Sequence, residues 1–236
     1  MSERPDIRSG FHLAVDTSGP VGHVAVSSGA DVLARLRLEE QGRHAGRLIP
    51  AIGEVLEAAG IDLEELSSIV VGEGPGSFTG VRVAAATVKG LARALKVPVF
   101  AVSSLAAAGM NGPEEDVPGV RYALFDARGE RVYAACFGIG HGRWEVLVPP
   151  HASDVRTVVG SDVPAGAHFL GSGADRYRSA IEGAGYRVLS PPWGEPTADA
   201  LLQVVALGSD PIPRSSLDTW EPRYLKASNA EREWAR

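Results

Sequence analysis

Three short apolar stretches open the chain, at 11–15, 21–26 and 32–38. Turn-forming Ser18-Gly19-Pro20 and Ser28-Gly29 separate them, a pattern that predicts a β-meander. The period then changes. Leu48, Ile52, Val55, Leu56 and Ala59 recur at helical spacing over 44–59, with Gly60 where a helix-ending glycine belongs. Pro50 inside this pattern predicts either a late start or a kink. A strand at 68–71, a glycine-rich loop, a helix over 80–95 and a strand at 97–102 complete a unit in which strands and helices alternate, so a mixed sheet covered by helices is expected.

The polar segment GMNGPEEDVPG at 109–119 reads as a hinge or boundary, dividing the chain into lobes 1–108 and 109–236. Beyond it the pattern begins again. Strands are expected at 121–126, 131–137 and 144–148, weak helix at 152–159, a strand at 167–170 and a helix near 174–184. A last helix over 197–207 has Thr197 as its N-cap and Gly208 after its end.

The two halves match at specific places. LAVDTSGPVGHVAV at 13–26 lines up with ALFDARGERVYAACF at 123–137, each a strand ending in an aspartate (Asp16, Asp126), a turn and a second strand. GEGPGS at 72–77 has a counterpart in GSGADR at 171–176. Hairpins commonly carry Asp and Gly, so either match alone means little. Two in the same order predict an α/β duplicated actin-like (ASKHA, RNase H-like) two-lobe fold, with mixed sheets flanked by helices. Asp16, Asp126, Gly171 and Gly173 are then either turn residues or remnant nucleotide contacts.

Composition narrows the function. The 236 residues are 44% hydrophobic and 22% charged, enough for a core, and no apolar run is long enough to span a membrane. The N-terminus MSERPDIRSG has no apolar signal region, so a cytoplasmic protein is expected. The formal net charge is −6, without a cluster of Lys and Arg to neutralise a nucleic-acid backbone; service to a nucleic acid would run through a partner. One cysteine, Cys136, excludes a disulfide framework and a multi-cysteine zinc site; in its apolar strand pattern it is a core thiol.

The densest signal is the loop Gly74-Pro75-Gly76-Ser77-Phe78-Thr79-Gly80, which leads into the second helix. Glycines permit close backbone approach and positive φ, and a helix N-terminus can hold an anion, so a tight turn and a phosphate cradle both remain open. No Gly-Lys-Ser/Thr follows at Walker A spacing, and Glu73 adds negative charge. On the helix behind the loop, Arg82, Lys89, Arg93 and Lys96 share an arc of about 60°. The rest of the circumference is apolar or small, more than the stripe a helix needs to cover one sheet face. Either the helix is buried wholly within its own chain or it is shared with another subunit.

GPGSFTGVR at 74–82 resembles the signature of the bacterial TsaB (YeaZ) family. The likeness continues in VDTS at 15–18, His44 followed by RLIP at 47–50, VSSL at 102–105, DARGERVY at 126–133 and EPRYLK at 221–226. The resemblance implies a non-catalytic partner subunit. TsaB-like proteins act with TsaD and TsaE to transfer threonylcarbamoyl to N6 of the adenosine next to the anticodon in ANN-decoding tRNAs, and TsaD carries the metal and the transfer site. The contact runs through N-lobe helices, here 44–59 and 80–95, which also serve homodimers. On these helices His44, Leu48, Ile52, Arg82, Ala85, Lys89 and Leu91 are the expected interface. tRNA is met only through the complex, and ATP with Mg²⁺ belongs to the complex; no cofactor is assigned to this chain.

The residues fit that implication. A metal site needs histidines one helical turn apart, and the position one turn after His44 is Leu48. The remaining histidines, His12, His23, His141, His151 and His168, show no pairing at metal spacing and are expected at the surface or in turns. Ser77 and Ser103 have no evident base. The competing class is an autonomous actin-fold ATPase or small-molecule kinase, motivated by the paired aspartates and glycine loops. A peptidase lacks both metal pair and triad. The tryptophans are too scattered for a base-stacking platform, and the segment around Trp220 is expected to pack the C-terminal stretch onto a lobe.

Overall fold

In a computed structural model the chain folds as two five-stranded mixed sheets with helices between and outside them. Residues 7, 9–39, 44–140, 142–208, 212 and 216–225 are described, without the side chains of 44 and 45.

The first sheet begins with the expected meander, β1 (Phe11–Asp16), β2 (Gly22–Ser28) and β3 (Asp31–Leu38), paired antiparallel. Helix α1 (His44–Ala59) then leads to β4 (Leu66–Gly72), and α2 (Phe78–Leu95) to β5 (Val99–Val102), both strands parallel to β1. Pro50 stays within α1 on its exposed side, so the helix starts at His44 rather than late. A short helix with no counterpart in the hydropathy pattern, α3 (Ser104–Met110), leads to the second sheet.

There β6 (Gly119–Asp126), β7 (Arg131–Gly140) and β8 (Arg143–Asp154) repeat the meander. After α4 (Val155–Gly160), β9 (Ala167–Leu170) pairs parallel with β6. The expected helix over 174–184 is two helices, α5 (Ser172–Arg176) and α6 (Arg178–Gly183), meeting at Tyr177, and β10 (Arg187–Val188) follows. The strand orders are β3-β2-β1-β4-β5 and β8-β7-β6-β9-β10, so the same topology occurs twice. This is the duplicated actin-like fold.

Helices α1 and α2 cover the outer face of the first sheet through Leu48, Ile52, Val55, Ala84, Val88 and Ala92. Helix α7 (Ala198–Ala206) covers its inner face, while α3 packs on α7 and on β6 and β7. The resulting core runs without a break from Ala14 and Val70 through Leu105 and Leu201 to Phe137 and Leu170. Each fully buried Leu or Phe there contributes about 1.5–3 kcal/mol. The segment 109–119 is fastened by Arg121, a buried guanidinium donating to the carbonyls of Gly109, Met110 and Pro113. Those bonds satisfy the end of α3. Although it follows the second lobe in sequence, the C-terminal stretch returns to the first: Ile212 N–H donates to the Val99 carbonyl, and 216–225 lies along α2. Among the described residues no helix is long and apolar enough to cross a membrane.

Candidate functional site

Asp16 ends β1 fully buried. Its Oδ1 accepts from the Ser18 N–H and Oγ at 2.7 Å each, and its Oδ2 from Ser104 Oγ at 2.6 Å. Burial disfavours the carboxylate and pushes its pKa up to about 6; the Ser104 and Ser18 hydrogen bonds pull the other way. Gly72 sits against this carboxyl, where a Cβ would overlap Oδ2.

The glycine loop closes over the same turn. Ser77 N–H donates to the Ser18 carbonyl at 2.7 Å, and Thr17 Oγ1 donates to the Gly80 carbonyl at 2.7 Å. A Cβ on Gly76 would strike the Ser18 carbonyl oxygen, and one on Gly80 the Thr17 carbonyl oxygen. Glu73 N–H donates to the Val102 carbonyl, Gly74 N–H to Ser104 Oγ, and Gly80 N–H to Ser77 Oγ, the N-cap of α2. Four of the loop's N–H groups are therefore spent within the chain. The glycines serve close approach between two backbone turns. Pro75 is buried in the loop, while Ser77, Phe78 and Thr79 are exposed at its edge.

The second lobe repeats the plan more loosely. Asp126 is partly exposed; its Oδ1 accepts from Arg128 N–H at 3.0 Å and its Oδ2 from Arg176 at 3.1 Å. Gly171, at φ +96°, and Gly173 press against the backbone of Leu124 and Phe125.

The outer helices form the other candidate surface. The expected interface positions Leu48, Ile52 and Ala85 are 0%, 4% and 5% exposed, so they are corrected to buried residues, Leu48 and Ile52 filling the space between α1, α2 and the sheet. Lys89 and Leu91 are half-buried and Arg82 is exposed, whereas the His44 side chain lies outside the described residues. What faces outward on α2 is the ridge Phe78, Arg82, Ala86, Gly90 and Ala94. At 3.6 residues per turn, Thr79, Val83, Ala86, Gly90 and Ala94 span an arc of about 80° without a charge. On α1 the exposed residues include Gly46, Ile49, Pro50 and Gly53, and a Cβ on Gly46, Gly53 or Gly90 would enter open space. The helical wheel gave the relative angles; it could not say which arc meets the sheet. The small residues of the outer arc were the usable signal.

The basic arc of α2 is covered by the chain's own C-terminal stretch, which the sequence reading placed only on an unspecified lobe. Arg93 pairs with the Asp218 carboxylate at 3.2 Å; Lys89 donates to the Asp218 carbonyl at 3.0 Å and lies 5.7 Å from the Trp220 ring centre. The Arg82 guanidinium stands 4.0 Å over the Phe78 ring, and its Nε donates to Tyr224 Oη at 3.0 Å.

Two histidine expectations fail: His12 and His23 are buried on strands, not at the surface. His12 Nδ1 bonds Ser68 Oγ, and burial with the nearby Arg37 lowers His23 to about 4. His168 meets Asp116, His151 meets the Pro149 carbonyl, and His141 lies outside the described residues. Cys136 is a core thiol, pushed up to about 12 by burial. Among the described residues no group of three or more His, Cys, Asp or Glu could hold a metal ion.

A family model described as TsaD: tRNA N6-adenosine threonylcarbamoyltransferase matches residues 39–182. The tRNA threonylcarbamoyladenosine biosynthesis protein TsaB of Bacillus subtilis is 36% identical over 137 residues, 58% of this chain and 59% of that protein; the Escherichia coli protein of the same name is 32% identical over 135 residues, 55% and 58%. The chain thus spans a little over half the length of these curated relatives. The solved structure of YeaZ from Pseudomonas aeruginosa is 30% identical and superposes with a TM-score of 0.75, covering 92% of this chain and all of that one.

Proposed function

The chain belongs to the TsaB/YeaZ family, and from that premise we propose that it is a non-catalytic partner subunit, acting with TsaD and TsaE in threonylcarbamoyl transfer to N6 of the adenosine next to the anticodon of ANN-decoding tRNAs. The observation that carries this reading is the uncovered, uncharged arc of Ala86, Gly90 and Ala94 beside the exposed glycines of α1. Small residues let a second pair of helices approach closely, and nothing among the described residues covers them. TsaD is the partner; self-association uses the same face when TsaD is absent. The negative net charge supports contact with tRNA through the complex rather than directly. ATP and Mg²⁺ then act at the level of the complex, in the cytoplasm.

An autonomous ATPase or kinase is less favoured at the first glycine turn, where the N–H groups of Glu73, Gly74, Ser77 and Gly80 already bond to Val102, Ser104, Ser18 and Ser77. The test is solution mass by light scattering. The chain mixed with its cognate TsaD is expected to give a stable heterodimer, and separate elution of the two at micromolar concentration would defeat the reading.

A further inference from the structure

The exposed ridge of α2 does not end at the helix. Phe78 and Tyr224, 42% and 38% exposed, pack with ring centres 5.3 Å apart and planes tilted by 42°, and Arg82 lies across both rings. Tyr224 comes from a stretch 142 residues away in sequence. That stretch is tied down at other points: Arg223 N–H donates to the Glu73 carbonyl at 2.9 Å, Asp218 receives Lys89 and Arg93, and Trp220 lies beside Lys89.

Three of the four basic residues of the arc, Arg82, Lys89 and Arg93, are treated differently. Arg93 meets a carboxylate, and Lys89 meets a carbonyl and a ring face. Arg82 meets only two rings and a phenol oxygen, and no carboxylate of the described residues pairs with it. Its Nε is held, its Cζ stands 4.0 Å over the Phe78 ring, and among the described residues its two terminal nitrogens make no hydrogen bond. A guanidinium so held presents a rigid two-pronged donor suited to a carboxylate, at less entropic cost than a free arginine pays.

We propose that the 216–225 stretch is the second half of the docking surface, with Tyr224 positioning Arg82 to take a carboxylate on a helix of the TsaD subunit. The inference rests on the reading above and names the partner chemistry at the end of that interface. Occupancy by a second copy is the competing outcome. Aromatic and arginine side chains clustered at the edge of a small-residue ridge have the composition of an interface anchor.

The experiment measures the Kd of the full-length chain for its cognate TsaD, in low and high salt, with the folded state of each variant checked by its thermal midpoint. Arg82→Ala and Tyr224→Ala are each expected to weaken binding about tenfold or more, and the double variant no further than Arg82→Ala alone, because one acts through the other. Arg82→Lys does not rescue, since an ammonium can neither stack nor fork. Tyr224→Phe keeps the ring and is expected to lose about threefold, which preserves the test if Tyr224→Ala folds poorly. The wild-type affinity falls with salt more steeply than that of Arg82→Ala. If Tyr224→Ala binds TsaD like the wild type while Ala86→Glu abolishes binding, the inference is overturned and the partner reading stands. If Ala86→Glu binds normally, the partner reading itself fails. Weakening of self-association alone, with TsaD affinity unchanged, also overturns the proposal.

Discussion

The turn after β1 and the turn after β6 occupy the same place in two copies of one topology, yet they are built differently. In the first lobe Asp16 is sealed under Ser18 and Ser104, and the glycine loop interlocks with it so closely that three of its glycines leave no room for a Cβ. In the second lobe Asp126 is partly exposed and balanced by Arg176. The outer faces differ as well. The first sheet carries two helices of 16 and 18 residues with small side chains outward, whereas the second carries helices of five or six residues. The two halves of the duplicated fold thus differ in construction: the first has an interlocked turn beneath α2, and its outer helices carry the face proposed to dock.

The largest expected effect on stability is in the interlocked turn. Gly80→Ala forces a methyl into the Thr17 carbonyl and is expected to cost about 3 kcal/mol in urea unfolding, whereas Gly129→Ala, with open space at its Cβ, pays only for its left-handed φ of 60°, about 1 kcal/mol. Equal losses would remove the contrast between the turns.

Next comes acid titration. The folded Asp16 carboxyl holds its proton up to about 6, against 3.8 for the ordinary group, so between those values the folded state binds the extra proton and stability falls as pH rises. Asp16 contributes a fall of about 3 kcal/mol across the window, opposed by buried His23, whose lowering to about 4 makes stability rise with pH, so the fall is read as the difference between the wild type and Asp16→Asn and is unchanged in Asp126→Asn. The same pH slope in the wild type and in Asp16→Asn would contradict the sealed carboxyl. The smallest effect belongs to the second turn, where Arg176→Ala removes a surface-accessible pair and is expected to cost about 0.5 kcal/mol by the same unfolding measurement.

Much of this contrast was legible in the sequence. Both meanders, both aspartates and both glycine turns stand at matching places, because turn chemistry is local. Helix α3 was not, since all but one of its seven residues are buried and a helix enclosed on every side shows no amphipathic period. Strand β8 continues through Pro149 and Pro150, which an edge strand tolerates because no further strand needs their N–H groups. Leu48 and Ile52 were expected at the interface because the family resemblance points to the helix and not to one of its faces; their bulk was the clue that they belong inside. The contact of Tyr224 with Arg82 is long-range, and no periodicity encodes it.

The central claim is that the outer face of the first lobe, and not that of the second, binds another subunit. Light scattering of the chain with TsaD tests it when a glutamate is placed on each face in turn, at exposed Ala86 on α2 and at exposed Ala180 on α6. Ala86→Glu is expected to leave two separate species and Ala180→Glu an intact heterodimer. A heterodimer that survives Ala86→Glu, or dissolves with Ala180→Glu, would contradict the account.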